Sequence, residues 1–195
     1  MGWIDYAYWI ALLPLLGFVL ELFIGKYTWK QGGIFANLTI LGSTIISIGT
    51  LIEVLCGARI DVSVPCFYQG IVVGYMIDPL AIVMLCMVSF VSLMIHIYAL
   101  GYMEEDPDKS RYFAETSLFT CGMLGLVLSN NLLQLFIFWE MVGLCSYLLI
   151  GFWFHRPSAR NAAAKAFIVT RFGDFGFLAA ILYLFYNTGT FDIAE

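Results

Sequence analysis

The sequence predicts an all-α integral membrane protein in which six transmembrane helices form a bundle. Three observations lead there. Hydrophobic residues make up 62% of the 195 positions and charged residues only 12%, a balance foreign to soluble globular domains. The apolar residues come in runs of about 20, the length that spans the hydrocarbon of a bilayer at ~1.5 Å per residue. Apart from Lys165 and Arg171, lysine and arginine fall between these runs rather than inside them.

The first helix is expected over residues 7–24. Lys26 and Lys30 follow it, whereas the basic region of a cleavable signal precedes its apolar run, so it reads as a retained span. Tyr6 stands where N-myristoylation of a Met-Gly start needs Ser or Thr. The second helix is expected over 33–55. In the segment 57–77, Ile60, Asp61, Val62, Ser63 and Val64 alternate in polarity, turn residues run from Pro65 to Gly70, and a β-branched run follows to Met76. That pattern predicts a small hairpin. The third helix, 80–100, ends in the charged turn Glu104, Glu105, Asp106, Pro107, Asp108, Lys109. The fourth, 112–128, is short, and only Ser129, Asn130 and Asn131 separate it from the fifth, 132–153. The sixth is expected over 164–186. No low-complexity segment and no internal repeat is evident.

Loop charges orient these spans. The first loop carries Lys26 and Lys30, the third Lys109 and Arg111, the fifth Arg156 and Arg160; the second has only Arg59 and the fourth none. Positive charge favours the cytoplasmic side, which predicts an extracytoplasmic N-terminus, hairpin and C-terminal end. The net charge of −5 lies mostly in loops and ends and specifies no partner. Without a basic patch, nucleic acid is not an expected ligand. Cys56, Cys66, Cys86, Cys121 and Cys145 form no C-x-x-C pair and have no histidine at ligand spacing, so neither a metal nor an iron–sulfur site is expected. Cys56 and Cys66 flank the second loop and are able to pair if it is extracytoplasmic.

Glu140 lies within the apolar run 131–153, where a carboxylate costs about 2.5–3.5 kcal/mol on insertion scales. Such residues face a protein interior or a wet cavity, and many handle protons or ions. Phe136, Ile137, Gly143 and Leu144, its helical neighbours, cannot pair with it, so its partner must come from another helix or from water. The sixth helix carries Lys165, Arg171 and Asp174. Arg171 and Asp174 are three apart and share a face, suited either to a helix-packing ion pair or to a functional one. Lys165 is near enough to the cytoplasmic end to snorkel, as an interfacial anchor or a proton relay. Glu21 and Glu53, nearer helix ends, are expected to reach the interface. His96 is expected to be a hydrogen-bonding residue, although a histidine titrates near neutral pH.

The run Trp139-Glu-Met-Val-Gly-Leu-Cys-Ser-Tyr-Leu-Leu-Ile-Gly-Phe-Trp, followed by Ala164-Lys-Ala-Phe-Ile-Val-Thr-Arg-Phe-Gly-Asp, resembles the largest antiporter-like subunit of respiratory complex I. This is the chain called L in bacteria and subunit five in mitochondria. His96-Ile-Tyr-Ala-Leu-Gly-Tyr-Met, Asp78-Pro-Leu and Arg111-Tyr-Phe fit the same pattern. The resemblance implies a proton-translocating subunit of a redox-driven pump. Glu140 matches the family's helix-five glutamate, Arg171 and Asp174 the charged pair one helix later, and Lys165 the lysine of the Lys-Ala-Phe element. Family members have roughly twice as many helices or more, in inverted repeats with broken helices. Measured against them, these residues hold the entry helices and part of the first repeat.

The resemblance further implies an enzyme passing electrons from NAD(H), or from a deazaflavin or ferredoxin in some archaea, to a quinone or phenazine. Flavin, iron–sulfur clusters and the redox substrates are expected in partner subunits, with no cofactor in this chain. The setting is a cell membrane or an organelle inner membrane, and the partners are other membrane subunits, the bilayer and protons. Two other readings stand beside this one: a subunit of a multi-chain sodium/proton antiporter or membrane-bound hydrogenase, and a non-catalytic membrane scaffold.

Overall fold

The computed structural model describes residues 2–27, 32–65 and 72–193. Its helices are α1 (Trp9–Phe23), α2 (Ile34–Leu55), α3 (Pro79–Tyr102), α4 (Lys109–Leu128), α5 (Leu132–Ile150) and α6 (Pro157–Thr188), with short 3-10 turns at Trp3–Tyr6 and Gly25–Tyr27. Strands β1 (Ile60–Pro65) and β2 (Val72–Ile77) pair antiparallel, Val62 opposite Tyr75. Helices α1, α2, α3 and α4 close a four-membered ring in chain order. Helix α5 packs on the outside of α4, and α6 chiefly on α5.

Five of the six helices are long and apolar enough to cross a membrane; α4 alone falls short on composition. The reason is its position. With α1, α3 and α5 around it, α4 buries Ser110, Glu115, Thr116, Ser117 and Thr120 against protein. A helix shielded from lipid does not need lipid-facing hydrophobicity.

The ring has an apolar cluster at each end and a polar layer between. At the hairpin end Ala7, Ile10, Val54, Ile77, Ile82, Leu85, Leu124 and Leu128 pack together; at the opposite end Ala36, Ala99 and Phe113 do. Between them lie buried Ser43, Thr44, Ser47, Ser89, Ser92, His96, Ser117 and Thr120. Small side chains let backbones approach; Ser43, Thr44, Ser47, Ser89 and Thr120 donate to carbonyls, and Ser92 pairs with the Thr120 hydroxyl. His96 fits this layer: Nδ1 lies 2.8 Å from the Ser92 carbonyl, and Nε2 faces Ser117 Oγ at 3.5 Å. Pro14 supplies a second example. Having no N–H, it leaves the Ile10 carbonyl one turn earlier without its helical donor. Ser43 Oγ of α2 donates to that carbonyl at 2.6 Å.

The helix starts are built from their sequences. Asp78 Oδ1 accepts from Ala81 N at 2.6 Å with Pro79 in the first helical position, and Asn131 Oδ1 accepts from Gln134 N at 2.7 Å. Glu21 corrects the expectation of an interfacial side chain. It is fully buried, and its Oε1 accepts from Gly33 N (2.9 Å) and Ala36 N (3.2 Å). Carboxylate and helix N-terminus attract each other, so α1 caps α2. Gly33 holds the cap residue at φ 94°, a conformation that favours glycine. Glu53 sits at the other end, accepting from Trp3 N and Ile4 N at 2.7 and 2.8 Å.

The hairpin is tied to the break between α4 and α5. Gln134 donates from Nε2 to the Gly74 carbonyl at 2.8 Å and accepts from Gly74 N at 3.1 Å, pairing like a strand residue. A Cβ on residue 74 would collide with the Val62 carbonyl and the Asn130 amide. Helix α6 has Pro157 in its first turn and ends at Gly189, φ 78°. At 32 residues it is roughly 48 Å long, so its first two turns extend past the apolar core. Cys56 is a free, exposed thiol, whereas Cys66 and Lys30 lie outside the described residues.

Candidate functional site

Helices α5 and α6 bring together three of the four charged residues singled out by the sequence. Arg171 on α6 forms an ion pair with the Glu140 carboxylate on α5. The same guanidinium lies 3.4 Å from Asp174 Oδ2, one turn along α6. It also approaches the Glu140 carbonyl at 3.5 Å and rests 4.5 Å above the Phe167 ring. The partner of Glu140 is therefore an arginine, held by a carboxylate on each side and an aromatic face.

Asp174 is the most enclosed of the three, its side chain 12% exposed against 24% for Arg171 and 29% for Glu140. Trp139, the residue before Glu140, donates from Nε1 to Asp174 Oδ1 at 2.8 Å. Each carboxylate oxygen of Asp174 thus has its own donor, the indole on one side and the guanidinium on the other. Phe177 packs edge-on against both Phe136 and Trp139 and closes one flank. A cleft of about 140 Å³ lies against the cluster, lined by Phe136, Glu140, Arg171, Asp174, Phe175 and Leu178. Two carboxylates and one guanidinium carry a net charge of −1, which a single proton neutralises.

The structure does not bring Lys165 into this cluster. It is exposed on α6 and makes no ion pair among the described residues. Six residues at 100° per residue place it about 120° around the helix from Arg171 and ~9 Å along it. Trp139 was not singled out by the sequence. Its proximity to Asp174 exists only once α5 docks on α6.

Residues 69–113 match the family described as NADH-ubiquinone oxidoreductase (complex I), chain 5 N-terminus. Residues 129–195 match the one described as NADH:quinone oxidoreductase/Mrp antiporter, TM. The F(420)H(2) dehydrogenase subunit L of Methanosarcina mazei is 52% identical over 181 residues, covering 92% of this chain and 27% of that protein. The chain belongs to the complex I chain 5/L family.

The chloroplastic NAD(P)H-quinone oxidoreductase subunit 5 of Chlorokybus atmophyticus is 44% identical over 96% of this chain and 30% of its own length. The chain thus spans between a quarter and a third of these curated relatives. A chain of the archaeal membrane-bound sulfane sulfur reductase superposes with a TM-score of 0.86 over 97% of this chain and 39% of that one, at 19% identity. A chain of the Mrp complex from Dietzia sp. gives 0.80 over 95% and 20%, at 23% identity. Both likenesses establish the antiporter-like helical fold. Glu140, Arg171 and Asp174 all lie within the matched stretch 129–195.

Proposed function

We propose that this chain is the N-terminal part of a proton-translocating membrane subunit of a complex I-type oxidoreductase, and that Glu140 with Arg171 and Asp174 forms one of its proton-holding sites. The observation that carries the reading is one guanidinium shared by two carboxylates from different helices, beside a cleft. A guanidinium drawn toward Glu140 favours the carboxylate; drawn toward Asp174, it leaves Glu140 easier to protonate. Arg171 is the cation that tunes Glu140. Lys165, on another face of α6, serves as an anchor at the cytoplasmic boundary.

The redox chemistry belongs to companion subunits carrying flavin and iron–sulfur clusters. They pass electrons from NAD(H) or a deazaflavin to a quinone or phenazine. The relatives at 44–52% identity are named as subunits of quinone oxidoreductase and F(420)H(2) dehydrogenase, which favours this reading over a subunit of a multi-chain sodium/proton antiporter or membrane-bound hydrogenase. The N-terminus and hairpin face the extracytoplasmic side. Cysteine placed at the exposed position 105, on a background lacking native cysteines, should be labelled by an impermeant reagent from the cytoplasmic face only. Labelling from the outer face reverses the orientation.

Glu140→Gln in the complete complex separates a proton-linked role from a packing one. It keeps the shape and removes the ionisable proton. We expect normal assembly with a sharp fall in protons translocated per electron. A packing role predicts nearly normal coupling, since volume-conserving changes are tolerated best. Normal coupling in an assembled variant would end the functional reading.

A further inference from the structure

A second carboxylate–guanidinium cluster stands at the end of α4 nearest the acidic 103–109 turn. Glu115 is only 8% exposed. Its Oε1 lies 3.3 Å from Nε of Arg111, one turn earlier. Arg111 is held from several sides. It approaches Asp108 at 3.7 Å, donates from Nη2 to the Phe152 carbonyl and sits 4.5 Å over the Phe152 ring and 5.3 Å over that of Phe154. A cation this constrained is a fixed charge, not a swinging one.

The other oxygen of Glu115, Oε2, is buried and accepts no hydrogen bond. An ionised oxygen in that condition is strongly disfavoured, and either a water or a proton relieves it. The means is adjacent: Glu115 lines a cleft of about 250 Å³ with Arg111, Tyr147, Gly151, Phe154 and Arg160. Arg160 and Phe154 are exposed, so the cleft opens outward at the start of α6. The charged and titratable groups around Glu115 are Arg111 of α4 and Asp108 at its N-cap, Cys145 and Tyr147 of α5, and Arg160 of α6.

Two aromatic side chains on the α5–α6 seam stand between this cleft and the Glu140 site. Tyr147 follows Glu140 by seven residues, two turns and roughly 10 Å along the same face of α5. Its ring centroid lies 5.3 Å from that of Phe167, and Phe167 lies directly under Arg171. Glu115 and Tyr147 line the cleft together, Tyr147 lies beside Phe167, and Phe167 lies under Arg171, the partner of Glu140.

We propose that Glu115 is a proton-loading carboxylate for Glu140. Oε2 takes one proton from water in the Arg160 cleft. It then releases that proton to water entering the α5–α6 seam, and Glu140 accepts it. One proton enters and one leaves, and no electron moves. The inference rests on the proposed role of Glu140 and adds the group that supplies it.

The test measures proton translocation and electron transfer together in the complete complex carrying E115Q. Glutamine keeps the shape and still faces Arg111. Loss of a positioned proton donor predicts translocation slowed roughly tenfold or more at alkaline pH. The rate should approach wild type at acidic pH and recover with millimolar concentrations of a small permeant weak acid. E140Q should respond to neither. Wild-type translocation by E115Q at every pH, or a loss that is uniform in pH and not rescued, would overturn the proposal while leaving Glu140 in place. Normal coupling in E140Q would instead remove the parent reading. If E115Q does not assemble, R111Q/E115Q removes both charges together and should show the same pH-dependent slowing. A hydrophobic carbodiimide, which adds to protonated carboxyls, should also modify Glu115 in the wild-type complex at acidic pH. The absence of an adduct there would overturn the assignment.

Discussion

Replacing Arg171 with Gln leaves Glu140 and Asp174 without the cation they share, while Trp139 still donates to Asp174. The ion pair between Arg171 of α6 and Glu140 of α5 crosses the helix contact, and its gross attraction is about 4 kcal/mol for charges ~4 Å apart at an effective dielectric constant near 20. Much of that is offset, because the charges are partly desolvated. Breaking a fully buried pair costs about 3–5 kcal/mol and breaking an exposed one about 0–1. With the three side chains between 12% and 29% exposed, an intermediate cost of about 2 kcal/mol is expected. Helix α6 packs chiefly on α5, so this loss falls on that contact. About 2 kcal/mol is about a 30-fold rise in the undocked population. Ile181 is buried on α6, and a cysteine placed there reports the opening through its labelling by a membrane-permeant maleimide. On a background lacking native cysteines, R171Q should speed labelling of I181C about 30-fold, and adding E140Q should recover part of the loss. A change within about twofold would refute the claim that the shared guanidinium holds α6 to α5.

The remaining predictions concern the scaffold. Ser43→Ala leaves the Ile10 carbonyl, already deprived of its helical donor by Pro14, without a partner. It should lower the stability of the detergent-solubilised complex by about 1–3 kcal/mol. Ser47→Ala, whose hydroxyl only returns to the Ser43 carbonyl in its own helix, should cost under about 1 kcal/mol. Thermal denaturation of the two variants side by side checks the difference. Gly74→Ala drives a methyl into the Val62 carbonyl and displaces the strand from Gln134. Limited proteolysis should cut near the hairpin in that variant under conditions that spare the wild type.

Much of this was legible in the one-dimensional chain because a bilayer is an unforgiving solvent. Backbone groups there must be satisfied within a helix, so runs of about 20 apolar residues declare spans, and a lone carboxylate such as Glu140 declares a need for a partner. The pairing of Arg171 with Asp174 follows from their spacing of three on a helix. The length of α6 was less legible. Hydropathy registers only the apolar stretch, whereas its solvated first two turns are helical by propensity and by Pro157. Hydropathy also gave no warning that α4 is covered by α1, α3 and α5, since a helix surrounded by helices is free of the lipid-facing constraint.

Tertiary structure alone decided which charges meet. Glu140 and Arg171 are 31 positions apart, and nothing in either helix specifies that their faces coincide. That depends on the docking of α5 on α6, which also delivers the Trp139 indole to Asp174 and turns Lys165 away. Glu21 lies near the end of its helix by sequence, yet the packing of α1 against α2 and α4 removes it from water entirely. Glu115 reads as one more charge beside a loop until the fold sets one oxygen against Arg111, buries the other without a hydrogen-bond partner and makes the residue part of a cleft wall. The physical reason is common to all three. Burial and pairing are properties of surfaces in contact, and periodicity fixes which residues share a surface, not which surface it will meet.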